Sequence, residues 1–309
     1  MIVHSMGRRI GRVLAGALGL LALTTAGGER SARAEMLYAL TTSNTLTSFD
    51  SASPNRATTP IAITNLTAGD TLFGIDRRTA DGQLYVFGVG GTTGRVYTVN
   101  QNTGAATLIS TLNTAVSGAN FAADFNPVAD RLRVVSDTGQ NLRIDVTTGA
   151  TTVDGALAYA AGDPNAGQTP NVVAIAYTNS FPGTTATTLF DISATGVRST
   201  QNPPNNGTLN TTGTLGFPIT NVAAYEISGV TGAGFAAFVQ QGNTNSGFYT
   251  VGTNGVTFVG GVATASGQFL TIRGLAAAVP EPASVALMGL GSVALLGLAR
   301  RSSRAKARA

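Results

Sequence analysis

Between Met36 and Val279 the chain sets short apolar runs between clusters of Gly, Thr, Asn and Ser that return about every eight to twelve residues. No segment in that span repeats its apolar positions at helical spacing. This pattern predicts many short strands joined by tight turns, as in a sandwich, barrel or propeller.

An internal repeat chooses among these. "GIDRRTADGQLYVFG" from Gly74 lies over "ADFNPVADRLRVVS" from Ala123, matching Asp76 with Asp124 and Leu84 with Leu132. "RVYTVNQNTGAATLI" from Arg95 lies over "LRIDVTTGATTV" from Leu142, matching Thr103-Gly104-Ala105 with Thr148-Gly149-Ala150. A repeat of this length holding four strand-like runs has the size of one propeller blade. In the better copy the runs are "LFGID", "QLYVFG", "RVYTVN" and "ATLIS", with "NQNTGA" as a hairpin turn. Weaker copies begin at "VVAIAYTN" and "VAAYEIS". A fifth is divided: "MLYALT", "TLTSFD" and "PIAITNL" open the domain, and "LTIRGLAAA" at its far end supplies the missing first strand. The expected fold is therefore all-β, a β-propeller of five four-stranded antiparallel blades with the first blade closed by the C-terminal strand. Six blades or a β-sandwich are the alternatives.

The two ends read differently. Arg8, Arg9 and Arg12, the apolar Val13 to Gly27 and the small residues Ala32 and Ala34 have the order of a secretory signal peptide over 1–34, cleaved between Ala34 and Glu35. The domain then spans 35–278. From 279 to 309 come Pro280-Glu281-Pro282, an apolar segment at about 283–299 that is just long enough for a short transmembrane helix, and a tail rich in Arg.

Charge follows this division. The whole chain has a net charge of +4, but Glu35 to Val279 holds nine Arg and no Lys against 13 acidic residues, a net −4. The basic residues belong to the ends, so no nucleic-acid partner is expected. The chain has no Cys, and its one histidine, His4, lies in the signal segment. Triads built on histidine, Cys-His pairs and His-ligated zinc are thus excluded from the domain by composition.

Any carboxylate chemistry must use aspartates, the candidates being Asp76, Asp81, Asp124, Asp130, Asp137, Asp145, Asp154 and Asp163, since Glu35 and Glu226 are the only glutamates of the domain. Asp76 and Asp124 occupy equivalent strand ends, where a propeller brings strands to its central channel, and are the candidate ligands of a calcium ion. The matching positions of other units read as Tyr177, Tyr225 and Ala276, which makes turn amides the competing partners of these aspartates. No other cofactor is expected. Arg131, Arg133 and Arg143 near Asp130, Asp137 and Asp145 read as a solvated face with cross-strand ion pairs, or else as an anion-binding patch. "GVGGTTGR" from Gly88 precedes a strand and not a helix, so it reads as a glycine-rich turn. "DPNAGQTPN" (163–171) and "QNPPNNGT" (201–208) are the longest turn-rich loops.

Two resemblances follow from these residues. The tail, with Pro280, Glu281 and Pro282, the apolar segment and Arg300, Arg301, Arg304, Lys306 and Arg308, resembles the PEP-CTERM sorting signal of Gram-negative bacteria. That resemblance implies transient insertion in the inner membrane, processing by an exosortase and transfer to the cell surface or the medium, with the secretion machinery as an earlier partner. The body, through "FNPVADRLRVVSDTGQNLRID", "GDPNAGQTPNVVAIAYTNSF" and "TQNPPNNGTLNTTGTLG", is similar to the bacterial domain of unknown function 4394, which implies no particular activity. The expected function is that of a non-enzymatic binding or structural component of the envelope or exopolysaccharide matrix. The alternative is a calcium-dependent, aspartate-based hydrolase or lyase acting on sugars or esters.

Overall fold

The computed structural model describes residues 34–253 and 255–278; the signal segment before Ala34, the Pro280-Glu281-Pro282 motif and the apolar segment at 283–299 lie outside the described residues. The described residues form a five-bladed β-propeller without an α-helix. Blade I contains β1 (Met36–Thr41), β2 (Thr45–Asp50) and β3 (Ile61–Ala62). Blade II contains β4 (Thr71–Arg77), β5 (Leu84–Gly90), β6 (Thr93–Val99) and β7 (Ala106–Ala115). Blade III contains β8 (Phe121–Asn126), β9 (Arg131–Ser136), β10 (Asn141–Ile144) and β11 (Thr151–Val153). Blade IV contains β12 (Ala158–Tyr159), β13 (Val172–Tyr177), β14 (Leu189–Ser193), β15 (Val197–Gln201) and β16 (Thr208–Thr214). Blade V contains β17 (Ile219–Ile227), β18 (Gly234–Gln240), β19 (Gly247–Gly252) and β20 (Gly255–Gly261), after which β21 (Ile272–Ala277) returns to blade I.

Strand β21 pairs antiparallel with β1, from Leu37 opposite Ala277 to Thr41 opposite Ile272. The ring thus closes through hydrogen bonds between the two ends of the domain, and β21, β4, β8, β13 and β17, each the edge strand of its own sheet, line the axis. Blade IV differs from expectation: two-residue β12 adds a fifth strand, parallel to β16. Strand β16, "TLNTTGT", is nearly devoid of large apolar residues, which hid it from the hydrophobic pattern.

The core is divided. Five hydrophobic clusters each fill the wedge between two neighbouring blades, so alternate side chains of every blade face opposite neighbours. Aromatic rings carry much of the V–I and II–III wedges, with Phe49 edge-on to Phe248 at 5.1 Å and Tyr85 edge-on to Phe125 at 5.2 Å. The wedge between blades III and IV is built otherwise, around the buried Arg133. At the axis the inner strands touch. A Cβ added at Gly74 would stand 2.7 Å from the Cβ of Ala123, and one at Gly274 would stand 2.9 Å from the amide nitrogen of Ile75. Among Gly74, Ala123, Ala174, Ala224 and Gly274 a space of about 10 Å³ remains, room for about one water.

Candidate functional site

Two places stand out: the end of the central channel and a groove on blade V. At the channel end, each inner strand presents one residue one or two places before its last position. Cross-strand pairs fix the equivalence: Asp76 faces Tyr85, Asp124 faces Arg133, Ala176 faces Phe190, Glu226 faces Phe235 and Ala276 faces Tyr38. The sequence alignment is therefore correct for Asp76, Asp124 and Ala276 but one residue out at Tyr177 and Tyr225. A shift of one residue exchanges the two faces of a strand, and it concealed Glu226 behind Tyr225.

Asp76, Asp124 and Glu226 converge, each offering a carboxylate oxygen within 4.8 Å of the others, and all three are buried. Each reaches around the ring to the next blade. Asp76 accepts hydrogen bonds from the Phe125 amide at 2.7 Å and from its own neighbour Arg77 at 2.6 Å; Asp124 accepts from the Tyr177 amide at 2.9 Å. The Ala277 amide lies against the Glu226 carboxyl. The partners of Asp76 and Asp124 are thus chiefly amides of the next blade, and not those of the following turn. Burial pushes the Asp76 carboxyl up to about 7. Burial also raises Asp124 and Glu226 well above the usual carboxylate range, reinforced by the charge of Asp76.

The other aspartates of the sequence serve local structure. Asp81 accepts from Tyr85 and pairs with Arg78, while Asp130 receives a two-pronged contact from Arg78 at 2.7 and 2.5 Å. Asp137 accepts from the Ala119 amide and from Asn120, and Asp163 fastens its loop by accepting from Thr211. Asp145 accepts turn amides and pairs with Arg131 at 3.2 Å, as a solvated face predicts. The expectation fails at Arg133. It is the largest fully buried side chain and donates to Tyr177 at 2.8 Å, Asn141 at 2.5 Å, Asp154 at 3.1 Å and Asn205 at 2.7 Å. Arg143, its cross-strand neighbour, shares Asp154. With its donors spent inside the protein, Arg133 is no part of a surface patch. Asn205 comes from the 201–208 loop, whose role here is structural. "GVGGTTGR" is the β5–β6 turn.

The groove on blade V arises from the loop between β18 and β19, the outer strand β20 and the segment leading to β21. It encloses about 640 Å³. Tyr249 forms its floor, with Phe238, Phe258 and Phe217 at ring distances of 5.4, 5.3 and 5.7 Å. Phe258 and Phe269 stand at its wall 61% and 60% exposed, an uncommon state for phenylalanine. Between the rings stand the amides of Gln240, Asn243 and Asn245, the first donating to the Tyr249 hydroxyl at 3.0 Å. Among the described residues, none that lines it is charged.

Comparison with known proteins bears on the whole chain. The model of a family described as a domain of unknown function, DUF4394, matches residues 45–276. The chain belongs to this family. The DUF4394 domain of this chain is followed by a match to the PEP-CTERM protein-sorting motif at 278–304. That motif marks an exported protein, membrane-anchored before it is processed by an exosortase-type sorting system. No curated protein matches the chain. Among solved structures, the DUF4394 domain is similar to a chain of the crystal structure of a nidogen/laminin complex, at 11% identity and TM-score 0.45, covering 80% of this chain and 98% of that one. It is also similar to a chain of a crystal structure of BBS1N in complex with ARL6DN, soaked with lead, at 10% identity and TM-score 0.38, covering 66% and 59%.

Proposed function

We propose that this exported DUF4394 protein is a non-enzymatic binding component of the cell envelope or the extracellular polysaccharide matrix, and that it holds a neutral saccharide in the blade V groove. The groove carries this reading: exposed rings interleaved with amide side chains, without a charge, in a volume ordinary for a ligand site. Sugar rings offer C–H faces to aromatic rings and hydroxyls to amides, and a neutral sugar needs no counter-charge. A sorting motif that marks an exported protein supports this reading, since such polymers lie outside the cell. The aspartate-based hydrolase or lyase has less in its favour, because the carboxylate cluster found among the described residues is buried.

The test is a glycan array followed by pull-down with neutral polysaccharide from the producing cells. Binding by the purified protein that falls tenfold or more in Phe258→Ala or Phe269→Ala is expected, as for aromatic anchors worth at least about 1.4 kcal/mol. Binding untouched by both substitutions would remove the groove from the account.

A further inference from the structure

We propose that Asp76, Asp124 and Glu226 ligate a calcium ion at the end of the central channel, joining blades II, III and V. The first observation is the convergence itself: three inner strands that are not neighbours in sequence bring one oxygen each within 4.8 Å of the others. Opposite ligands of a calcium ion stand about 4.6–5.2 Å apart, twice its bond length, so the spread suits that ion.

The second observation is separate from the clustering. Glu226 is 4% exposed, and its Oε2 is buried without a hydrogen-bond partner among the described residues. A buried carboxylate oxygen with no donor is costly, and a native fold seldom leaves one without a ligand. The amides of Phe125, Arg77 and Tyr177 already serve Asp76 and Asp124, and that of Ala277 lies at Glu226. These are neutral dipoles, which orient three carboxylates without cancelling their charge. Among the described residues Arg77 is the cation that acts on both Asp76 and Glu226, and its two terminal guanidinium nitrogens are spent on the Gly82 carbonyl and on Gln101 at 3.0 Å, while its Nε is buried without a partner. Three carboxyls in a low-dielectric site must take up protons or a cation.

The donor set selects the class of cation. All ligands are oxygen, and the domain has neither Cys nor His, which leaves thiolate- and imidazole-seeking metals without their preferred donors. Magnesium prefers a tighter octahedron and retains its waters, whereas calcium accepts an irregular set of carboxylates and waters. An extracellular module meets millimolar calcium, so an affinity of about 10⁻⁴–10⁻³ M would suffice. This inference does not depend on the saccharide groove.

The experiment uses the purified protein after exhaustive chelation, with calcium, magnesium and terbium as probes. Calcium is expected to raise the melting temperature saturably, on the order of 5–10 °C at hundredfold excess over its Kd, and magnesium at equal concentration much less. Terbium is expected to luminesce on tyrosine excitation, since the chain has no Trp and Tyr225 adjoins Glu226, and calcium should quench that signal by competition. Glu226→Gln and Asp124→Asn keep an oxygen for the backbone amides and should lose the calcium response. A wild-type protein with neither a calcium-dependent melting temperature nor calcium-competable terbium luminescence would overturn the proposal. So would a full response in folded Glu226→Gln. Should a variant fail to fold, the wild-type competition decides alone.

Discussion

Asp191, on β14 in the wedge between blades III and IV, is 2% exposed, and neither of its carboxylate oxygens has a hydrogen-bond partner among the described residues. Burial raises its carboxyl well above the usual range, opposed by the charge of Arg133, and Tyr159 and Tyr225 are the other titratable groups that feel it. A raised carboxyl favours the protonated fold, so the contribution is fully favourable below about 3.8 and is lost as pH rises toward the folded value. Asp191→Asn is therefore expected to match the wild type near pH 3 and exceed it at pH 8 by roughly 1 kcal/mol or more, measured by denaturant unfolding at both pH values. Equal stability of the two proteins at pH 8 would contradict this. Arg133 shows why such interiors are hard to foresee. Its alternation with acidic residues looks like a solvated strand face, but the groups that satisfy it, Asn141 on β10, Asp154 after β11 and Asn205 in the 201–208 loop, arrive from separate segments.

At the scale of elements, the repeat reappears in atomic detail. In the β6–β7 turn Asn100 accepts from the Asn102 and Thr103 amides; in the β10–β11 turn Asp145 accepts from those of Thr147 and Thr148. Each turn closes on a glycine of positive φ, Gly104 at 72° and Gly149 at 75°. A Cβ at either would strike a carbonyl of the preceding blade, 2.3 Å from Ala62 or 2.2 Å from Thr111. Gly149→Ala is thus expected to cost more than the roughly 1 kcal/mol of backbone strain alone, and a melting temperature within a degree of wild type would contradict the fit. Turn chemistry of this kind was legible because it is local in sequence. Register was legible where the aspartate repeats in kind and at the closing strand, where Ala276 falls in place. Asp76 and Asp124 aligned correctly, whereas the tyrosines of blades IV and V drew the alignment one place aside and hid Glu226.

For the whole molecule, strand order and ring closure could be read from the sequence because a divided blade leaves a recognisable strand at each end. The groove could not, since Phe217, Tyr249, Phe258 and Phe269 converge from different segments with no motif in common. Processing belongs to this scale as well. Glu35 is already tied into the fold: its amide donates to Ser51 at 2.9 Å, and its carboxylate accepts from Ser228 at 2.5 Å and from Thr231. Mass spectrometry of surface or secreted material is expected to show a chain beginning near Glu35 and ending close to Pro280-Glu281-Pro282, and an intact Arg308 would contradict removal of the tail. The central claim, a neutral saccharide in the blade V groove, is tested most directly by calorimetric titration of the array's best oligosaccharide into the wild type and the Phe258→Ala/Phe269→Ala double variant. Saturable heat with the wild type and none with the variant is the predicted result, and equal heats from both would contradict it.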